Sequence, residues 1–150
     1  MKKGILICLA ISFLSAQNLL INESMSRNIS SVYDEDSTTH DWVELYNTSN
    51  TDVDINGWYL TDKSNNLTKW QFPSSFIVSA NSVAIIYCSG LDEIVGGVAH
   101  SNFKITQTKF NEVFVLSDAS GSVVDSISVC LLYTSPSPRD LSTSRMPSSA

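Results

Sequence analysis

Cysteine is scarce in this chain: only Cys8, Cys88 and Cys130 occur among its 150 residues. Cys8 lies in an apolar N-terminal run and Cys130 opens a tail of different composition, so Cys88 stands alone in the body of the sequence. Three cysteines placed in this way exclude a disulfide framework. We expect Cys88 to be a buried and chemically inert thiol.

Basic residues are also few. Residues 17–129 contain five of them against fourteen acidic residues, a net charge of −9 for this segment compared with −6 for the whole chain. A surface this acidic repels phosphate backbones and anionic lipid headgroups, which excludes nucleic acid and membrane surfaces as favoured partners. It is compatible with Ca²⁺, with cationic ligands or with solubility alone.

Histidine is rare, and catalytic motifs are lacking. The chain has two histidines, His40 and His100, and no G-x-S-x-G nucleophile elbow. A hydrolase triad can be drawn from His40, Asp41 and a serine, but it would have no positioned nucleophile and no oxyanion hole. We therefore expect a protein that is not an enzyme.

Long hydrophobic runs are missing. The N-terminal apolar run, residues 5–14, is too short to span a bilayer, which takes about 20 residues. Two lysines precede it, and the small residues Ser15 and Ala16 follow it, which is the layout of a secretory signal peptide. The sequence thus predicts a signal peptide over residues 1–16, no transmembrane segment after cleavage, and a secreted or cell-surface location.

Residues 130–150 differ in composition from everything before them. They form a tail rich in serine, proline and arginine that has no glycine, which is typical of a disordered segment. The run CLLYTSPSPRD reads as the translation of a transposon-type sequencing adapter, and SRMPSSA as that of the constant bases that follow its index. We expect this tail to be non-native and the natural protein to continue beyond Val129.

Short stretches that alternate apolar and polar residues predict one all-β domain over residues 17–129. The predicted strands cover residues 18–23, 41–47, 53–62, 69–72, 76–78, 82–88, 111–118 and 122–129. Gly57 suggests a bulge or a close approach of the backbone within one of them. The nearly all-apolar run 82–88 is expected at the centre of a sheet, and the last two strands form a predicted hairpin. Strands spaced at roughly 8–12 residues describe a β-sandwich.

Several motifs in this region resemble one known family. They are INE (21–23), DWVELYN (41–47), VDINGWYLTD (53–62), W-x-F-P (70–73), H-x-N-F-K-I (100–105) and EVFVLSDASGSVVD (112–125). In this order they resemble the lamin tail domain, in the version found in bacterial secreted proteins. The resemblance implies a non-catalytic immunoglobulin-like β-sandwich whose closing strand is missing here. The sequence lacks a coiled-coil heptad segment, so filament assembly is not implied.

An acidic loop is the first candidate site. Asp34, Glu35 and Asp36 are adjacent, and Asp41 follows closely. Carboxylates that repel one another can be relieved by a hard cation, so we predict a Ca²⁺ site formed by Asp34, Asp36 and Asp41, although a solvated loop is the alternative. No other cofactor is expected.

Tryptophan supplies the second candidate. Trp42, Trp58 and Trp70 could stack on sugars or peptides, or they could fill the core. We expect Trp58 in the core and predict Trp70, which lies between Lys69 and Gln71, as a ligand-binding residue with the core as its alternative.

The expected function is a non-catalytic binding or spacer module of a longer exported protein, with a protein or carbohydrate partner at the cell surface. Two alternatives stay open. One is an accessory domain of a secreted nuclease, phosphatase or kinase-like enzyme whose catalytic part lies beyond residue 129. The other is a calcium-dependent carbohydrate-binding module.

Overall fold

The computed structural model describes residues 18–105 and 113–128. All regular structure in these ranges is β. The strands are β1 (Leu19–Met25), β2 (Trp42–Asn47), β3 (Val53–Asp54), β4 (Tyr59–Thr61), β5 (Trp70–Gln71), β6 (Ile77–Val78), β7 (Val83–Tyr87), β8 (Glu93–Val95), β9 (Val98–His100), β10 (Val113–Ser117) and β11 (Val123–Ser128). None of the described residues belongs to a helix that could cross a membrane.

The larger sheet has five strands in the order β1-β2-β7-β9-β8. Neighbouring strands are antiparallel except for β7 and β9, which pair in parallel through Ile86 with Ala99 and Tyr87 with His100. The apolar strand β7 lies at the centre of this sheet, which confirms its predicted place. Ile86 of this strand is fully buried, whereas Val83 at its start is 51% exposed.

The second sheet has four strands in the order β11-β10-β4-β5. Strands β10 and β11 form the predicted hairpin, with Phe114 opposite Ile127 and Val115 opposite Ser126. Asp118 shapes the turn because its Oδ1 accepts hydrogen bonds from the amides of Ser120 (2.8 Å) and Ser122 (3.0 Å). Hydrogen bonds from Ser120 and Ser122 hold the pKa of Asp118 below its ordinary value.

The two sheets face each other across one apolar core, which confirms the predicted all-β sandwich. Both sheets contribute side chains that are less than a tenth exposed, and these belong to a single contact cluster. Its members from the five-stranded sheet include Leu19, Ile21, Val43, Leu45, Ile86 and Ala99, and those from the four-stranded sheet include Leu60, Trp70, Phe114 and Leu116.

The prediction of one bulged strand over residues 53–62 was wrong. The chain turns at Gly57, which has a φ of 76°, and the amide of Trp58 donates to the carbonyl of Ile55 over 3.0 Å. As a result β3 pairs with β6 in a separate two-stranded ladder, whereas β4 joins the four-stranded sheet. The glycine marks a change of sheet rather than a bulge, because its positive φ is unfavourable for other residues.

Strands β8 and β9 were not predicted from the sequence. They form a hairpin through Gly96 and Gly97, whose φ values are 59° and 89°. Two positive φ values in a two-residue loop are those of a type I′ turn. The Gly-Gly pair between EIV and VAH is the sequence signal that would have found this hairpin.

Three expectations fall on residues outside the described ranges. They are the signal peptide over 1–16, the non-native tail over 130–150, and the missing closing strand beyond Val129. Each stays a prediction.

Candidate functional site

The segment of residues 26–41, which connects β1 to β2, lies against the outer face of the five-stranded sheet. Side chains alternate between the two faces of a strand, so Tyr87 points away from the core into which its neighbour Ile86 packs. Its hydroxyl donates to the carbonyl of Tyr33 over 2.7 Å. The segment is therefore held against the sheet at Tyr33, whereas Glu35 and Asp36 of the acidic loop are exposed.

Asn28 holds this segment in shape. Its side-chain amide donates to the carbonyls of Val32 and His40, and its Oδ1 accepts from the amide of Ser31 over 3.1 Å. The amide of Asn28 itself donates to Asp41 Oδ1 over 3.0 Å. Asp41, which was predicted as a metal ligand, thus connects the two ends of the segment through a hydrogen bond and has a structural role.

Two histidine–carboxylate pairs meet where the segment contacts the sheet. His40 Nε2 lies 3.1 Å from Asp34 Oδ2, and His100 Nε2 lies 3.1 Å from Glu35 Oε1. The His40 and His100 rings are edge to face, with centroids 6.1 Å apart. We refer to Asp34, Glu35, His40 and His100 as the polar cluster.

Tyr87 forms the floor of the polar cluster. Its ring stacks on that of His100 with centroids 5.4 Å apart. Burial raises the pKa of Tyr87 above its ordinary value, and the negative charges of Asp34 and Glu35 raise it further. The phenol is therefore held neutral and keeps its hydrogen bond to the segment.

The order Ser89, His100, Glu35 resembles a hydrolase triad in its contacts. Ser89 Oγ lies 3.0 Å from His100 Nδ1, and the opposite ring nitrogen faces Glu35. However, Ser89 is 3% exposed and His100 is 1% exposed, so a substrate in solvent cannot reach this hydroxyl. The triad drawn from His40 and Asp41 is not assembled, because His40 pairs with Asp34 and Asp41 binds the Asn28 amide.

Of the three carboxylates in the predicted calcium site, only Asp34 belongs to the group of possible metal ligands that the structure brings together. Among the described residues, a group with metal-ligating atoms within 4.8 Å of one another consists of Asp34, Glu35 and His100. Asp36 is exposed, and its amide donates to Asp34 Oδ1. Calcium binding by Asp34, Asp36 and Asp41 stays a prediction.

Trp70 is a core residue, and the ligand-binding role predicted for it does not fit its position. The residue is 1% exposed, its ring contacts Phe72 with centroids 4.4 Å apart, and its Nε1 donates to Asp92 Oδ1 over 2.8 Å. A sugar therefore has no access to its ring faces. Trp58 is half-buried against the same core, as expected.

Cys88 is buried directly after β7, which confirms the prediction that its thiol is buried. The pKa of its thiol lies well above the ordinary range, mainly because the residue is buried. The thiolate is the reactive form of cysteine, so this residue carries no nucleophilic chemistry in the folded domain.

The far end of the outer sheet face carries an exposed apolar row. Leu20 of β1 is paired with Tyr46 of β2, and Tyr46 with Val83 of β7. Leu20 is 37% exposed and Val83 is 51% exposed, whereas Tyr46 is half-buried. We call these three residues the apolar row.

Sequence reasoning missed Glu35 and His100 as members of one cluster. The two residues are separated by 65 positions, and no local spacing connects them. The available signal was composition, since both histidines of the chain belong to the polar cluster. The apolar row was missed because its members come from three strands whose register the sequence does not reveal.

A comparison with protein-family models gives a match. The family model described as Lamin Tail Domain matches residues 15–130 of this chain. A comparison with curated proteins finds no match.

Proposed function

Since this chain belongs to the lamin tail domain family, whose immunoglobulin-like domains are generally non-catalytic binding modules, we propose that it binds a protein partner outside the cell through the apolar row. The family gives the general class of function. The location, the partner and the binding surface are our proposal.

The apolar row is the observation that carries this proposal. The outer face of a sandwich sheet is expected to be polar because it meets water. Here Leu20, Tyr46 and Val83 lie side by side across three neighbouring strands instead. Exposed apolar side chains that are contiguous indicate an interaction surface more than scattered ones do.

The charge around the row indicates the kind of partner. Glu44 precedes Tyr46 by two residues in β2 and so lies on the same face of the sheet. Its Oε1 accepts a hydrogen bond from the Asn22 side chain over 2.7 Å. Residues 17–129 carry a net charge of −9. A partner with an apolar centre and basic side chains around it would complement this surface, because opposite potentials favour the encounter and fix the orientation.

A protein is a better candidate than a carbohydrate. Carbohydrate recognition commonly uses an open aromatic face, and both Trp42 and Trp70 are buried here. The alternative of a calcium-dependent carbohydrate-binding module therefore loses the stacking residue on which it depended. The N-terminal pattern of Lys2, Lys3 and the apolar run 5–14 supports export.

Binding of the purified full chain to the envelope fraction of the producing cells tests the proposal. We expect saturable binding that Val83→Lys abolishes, because a lysine would place positive charge in the apolar contact. Ile77→Lys is the matched control, since Ile77 is 56% exposed but lies in β6, outside the apolar row. Binding that survives protease treatment of the envelope, or that Ile77→Lys weakens equally, would contradict it.

A further inference from the structure

We propose that Asp34, Glu35 and His100 form a binding site for Zn²⁺ or a chemically similar divalent transition-metal ion. This site differs from the predicted calcium site in two of its three residues. It is also independent of the apolar row, so each proposal can fail without the other.

The geometry places three ligand types of the right kind together. One ligand atom from each of the three residues lies within 4.8 Å of the other two. Zn²⁺ bonds to histidine nitrogen and carboxylate oxygen at about 2.0–2.2 Å, so ligand atoms of one site lie a few ångströms apart. His40 Nε2, 3.1 Å from Asp34 Oδ2, stands beside the group as a candidate fourth ligand.

Hydrogen bonds from neighbouring groups orient the side chains of Asp34 and His100. Asp34 Oδ1 accepts from the amides of Asp36 (3.1 Å) and Thr38 (2.7 Å), which leaves Oδ2 directed into the cluster. His100 Nδ1 lies 3.0 Å from Ser89 Oγ, which leaves Nε2 directed at the carboxylates. Hydrogen bonds that fix the tautomer of a histidine and the angle of a carboxylate are the usual support of a metal site.

The donor set favours a transition metal over calcium. Ca²⁺ takes six to eight oxygen ligands, whereas a buried imidazole nitrogen is a good ligand for Zn²⁺, Ni²⁺ or Cu²⁺. His100 is the least exposed member of the group, with 1% of its side chain accessible. A ligand set anchored on this nitrogen is therefore a poor calcium site.

An ion can reach the site from solvent. The side chains of Glu35 and His40 are 31% and 21% exposed, whereas those of Asp34 and His100 are 4% and 1% exposed. The group thus has two inner residues and an accessible rim. A bound ion would cross-link the 26–41 segment, which carries Asp34 and Glu35, to β9, which carries His100.

The test measures Zn²⁺ binding to the full chain by titration calorimetry, with Cys8 and Cys130 changed to serine in every variant because thiolates also bind Zn²⁺. We expect Glu35→Gln to weaken binding by about ten-fold or more, since even the loss of an outer contact commonly costs 10–100-fold. Asp36→Asn is the matched control: it removes the same charge from the next position and should leave the affinity nearly unchanged.

A second readout separates metal coordination from general attraction to an acidic loop. Bound Co²⁺ should give a visible absorption band in the parent chain that Glu35→Gln loses and Asp36→Asn keeps. Zn²⁺ should also raise the thermal midpoint of the parent, because a ligand that binds only the folded state stabilises it. Absence of Zn²⁺ binding, equal weakening by the two substitutions, or displacement of Zn²⁺ by millimolar Ca²⁺ would overturn the proposal.

Discussion

Two buried asparagines satisfy backbone groups that strand pairing leaves free. Asn47 is fully buried, and its side-chain amide donates to the carbonyls of Thr51 and Val78 while its Oδ1 accepts from the amide of Ser49. Asn28 does the same within the 26–41 segment. Unpaired buried backbone groups are costly, so these side chains decide the path of the connections next to them.

Replacement of Asn28 by alanine should loosen the 26–41 segment. The carbonyls of the half-buried residues Val32 and His40 would each lose a partner. A buried group left unsatisfied costs about 1–3 kcal/mol, and a partly buried one costs less because water can reach it. Hydrogen exchange of the amides between residues 28 and 41 should become faster. Asn65→Ala, at an exposed position, is the control, and unchanged exchange in Asn28→Ala would show that other contacts hold the segment.

At the scale of elements, the sequence predicts where strands lie better than where they begin and end. Strands β2, β7, β10 and β11 have five or six residues and a readable apolar pattern, and all were predicted. Strands β5 and β6 have only two residues each, yet both lie within the predicted ranges 69–72 and 76–78. Strands β3 and β4 were predicted as one, and the three-residue strands β8 and β9 were missed. The parallel pairing of β7 with β9 depends on contacts between distant residues, which no local pattern encodes.

The Gly96–Gly97 turn gives a prediction for the β8–β9 hairpin. A side chain at Gly96 would meet no atom within 4 Å, so only the backbone conformation decides what is tolerated. Gly96→Asn should leave the free energy of unfolding nearly unchanged, because asparagine is common at this position of a type I′ turn. Gly96→Val should lower it by about 1–2 kcal/mol, the cost of a left-handed conformation for an ordinary residue.

Urea denaturation of the parent and both variants measures the difference. Equal loss in Gly96→Asn and Gly96→Val would mean that the two glycines are needed for a reason other than their positive φ.

At the scale of the whole molecule, the 26–41 segment and the core tie distant parts of the chain together. The sequence shows Asp34 and Glu35 as adjacent acidic residues, and its alternating pattern predicts the two-sheet sandwich. What could not be predicted was that this segment folds back onto the outer face, because the partners His100 and Tyr87 are brought there only by sheet assembly. Trp70 was misplaced for a related reason: its polar neighbours in sequence alternate to the outside of the strand.

Alkaline pH should destabilise the domain through Tyr87. Burial and the nearby carboxylates raise the pKa of Tyr87 above its ordinary value of 10.0, so the folded state keeps a proton that the unfolded state releases. The contribution is fully present below about pH 10 and is lost as the pH rises through the folded pKa. Urea melts between about pH 8 and pH 11 should show a falling free energy of unfolding.

Tyr87→Phe is the informative variant for this effect, and Tyr33→Phe, at an exposed position, is its control. The decline above pH 10 should be shallower in Tyr87→Phe and unchanged in Tyr33→Phe. If the free energy of unfolding declined identically in the parent and both variants, a group other than Tyr87 would cause the alkaline sensitivity.

The most direct test of the proposed function is to ask which face of the domain touches its partner. A photo-crosslinking amino acid can be placed at Val83, in the apolar row, and at Ile77, which is equally open but lies in β6. On the surface of the producing cells, we predict a discrete protein adduct from position 83 and none from position 77. An adduct from position 77 alone, or from neither position under conditions in which the chain binds, would contradict the account.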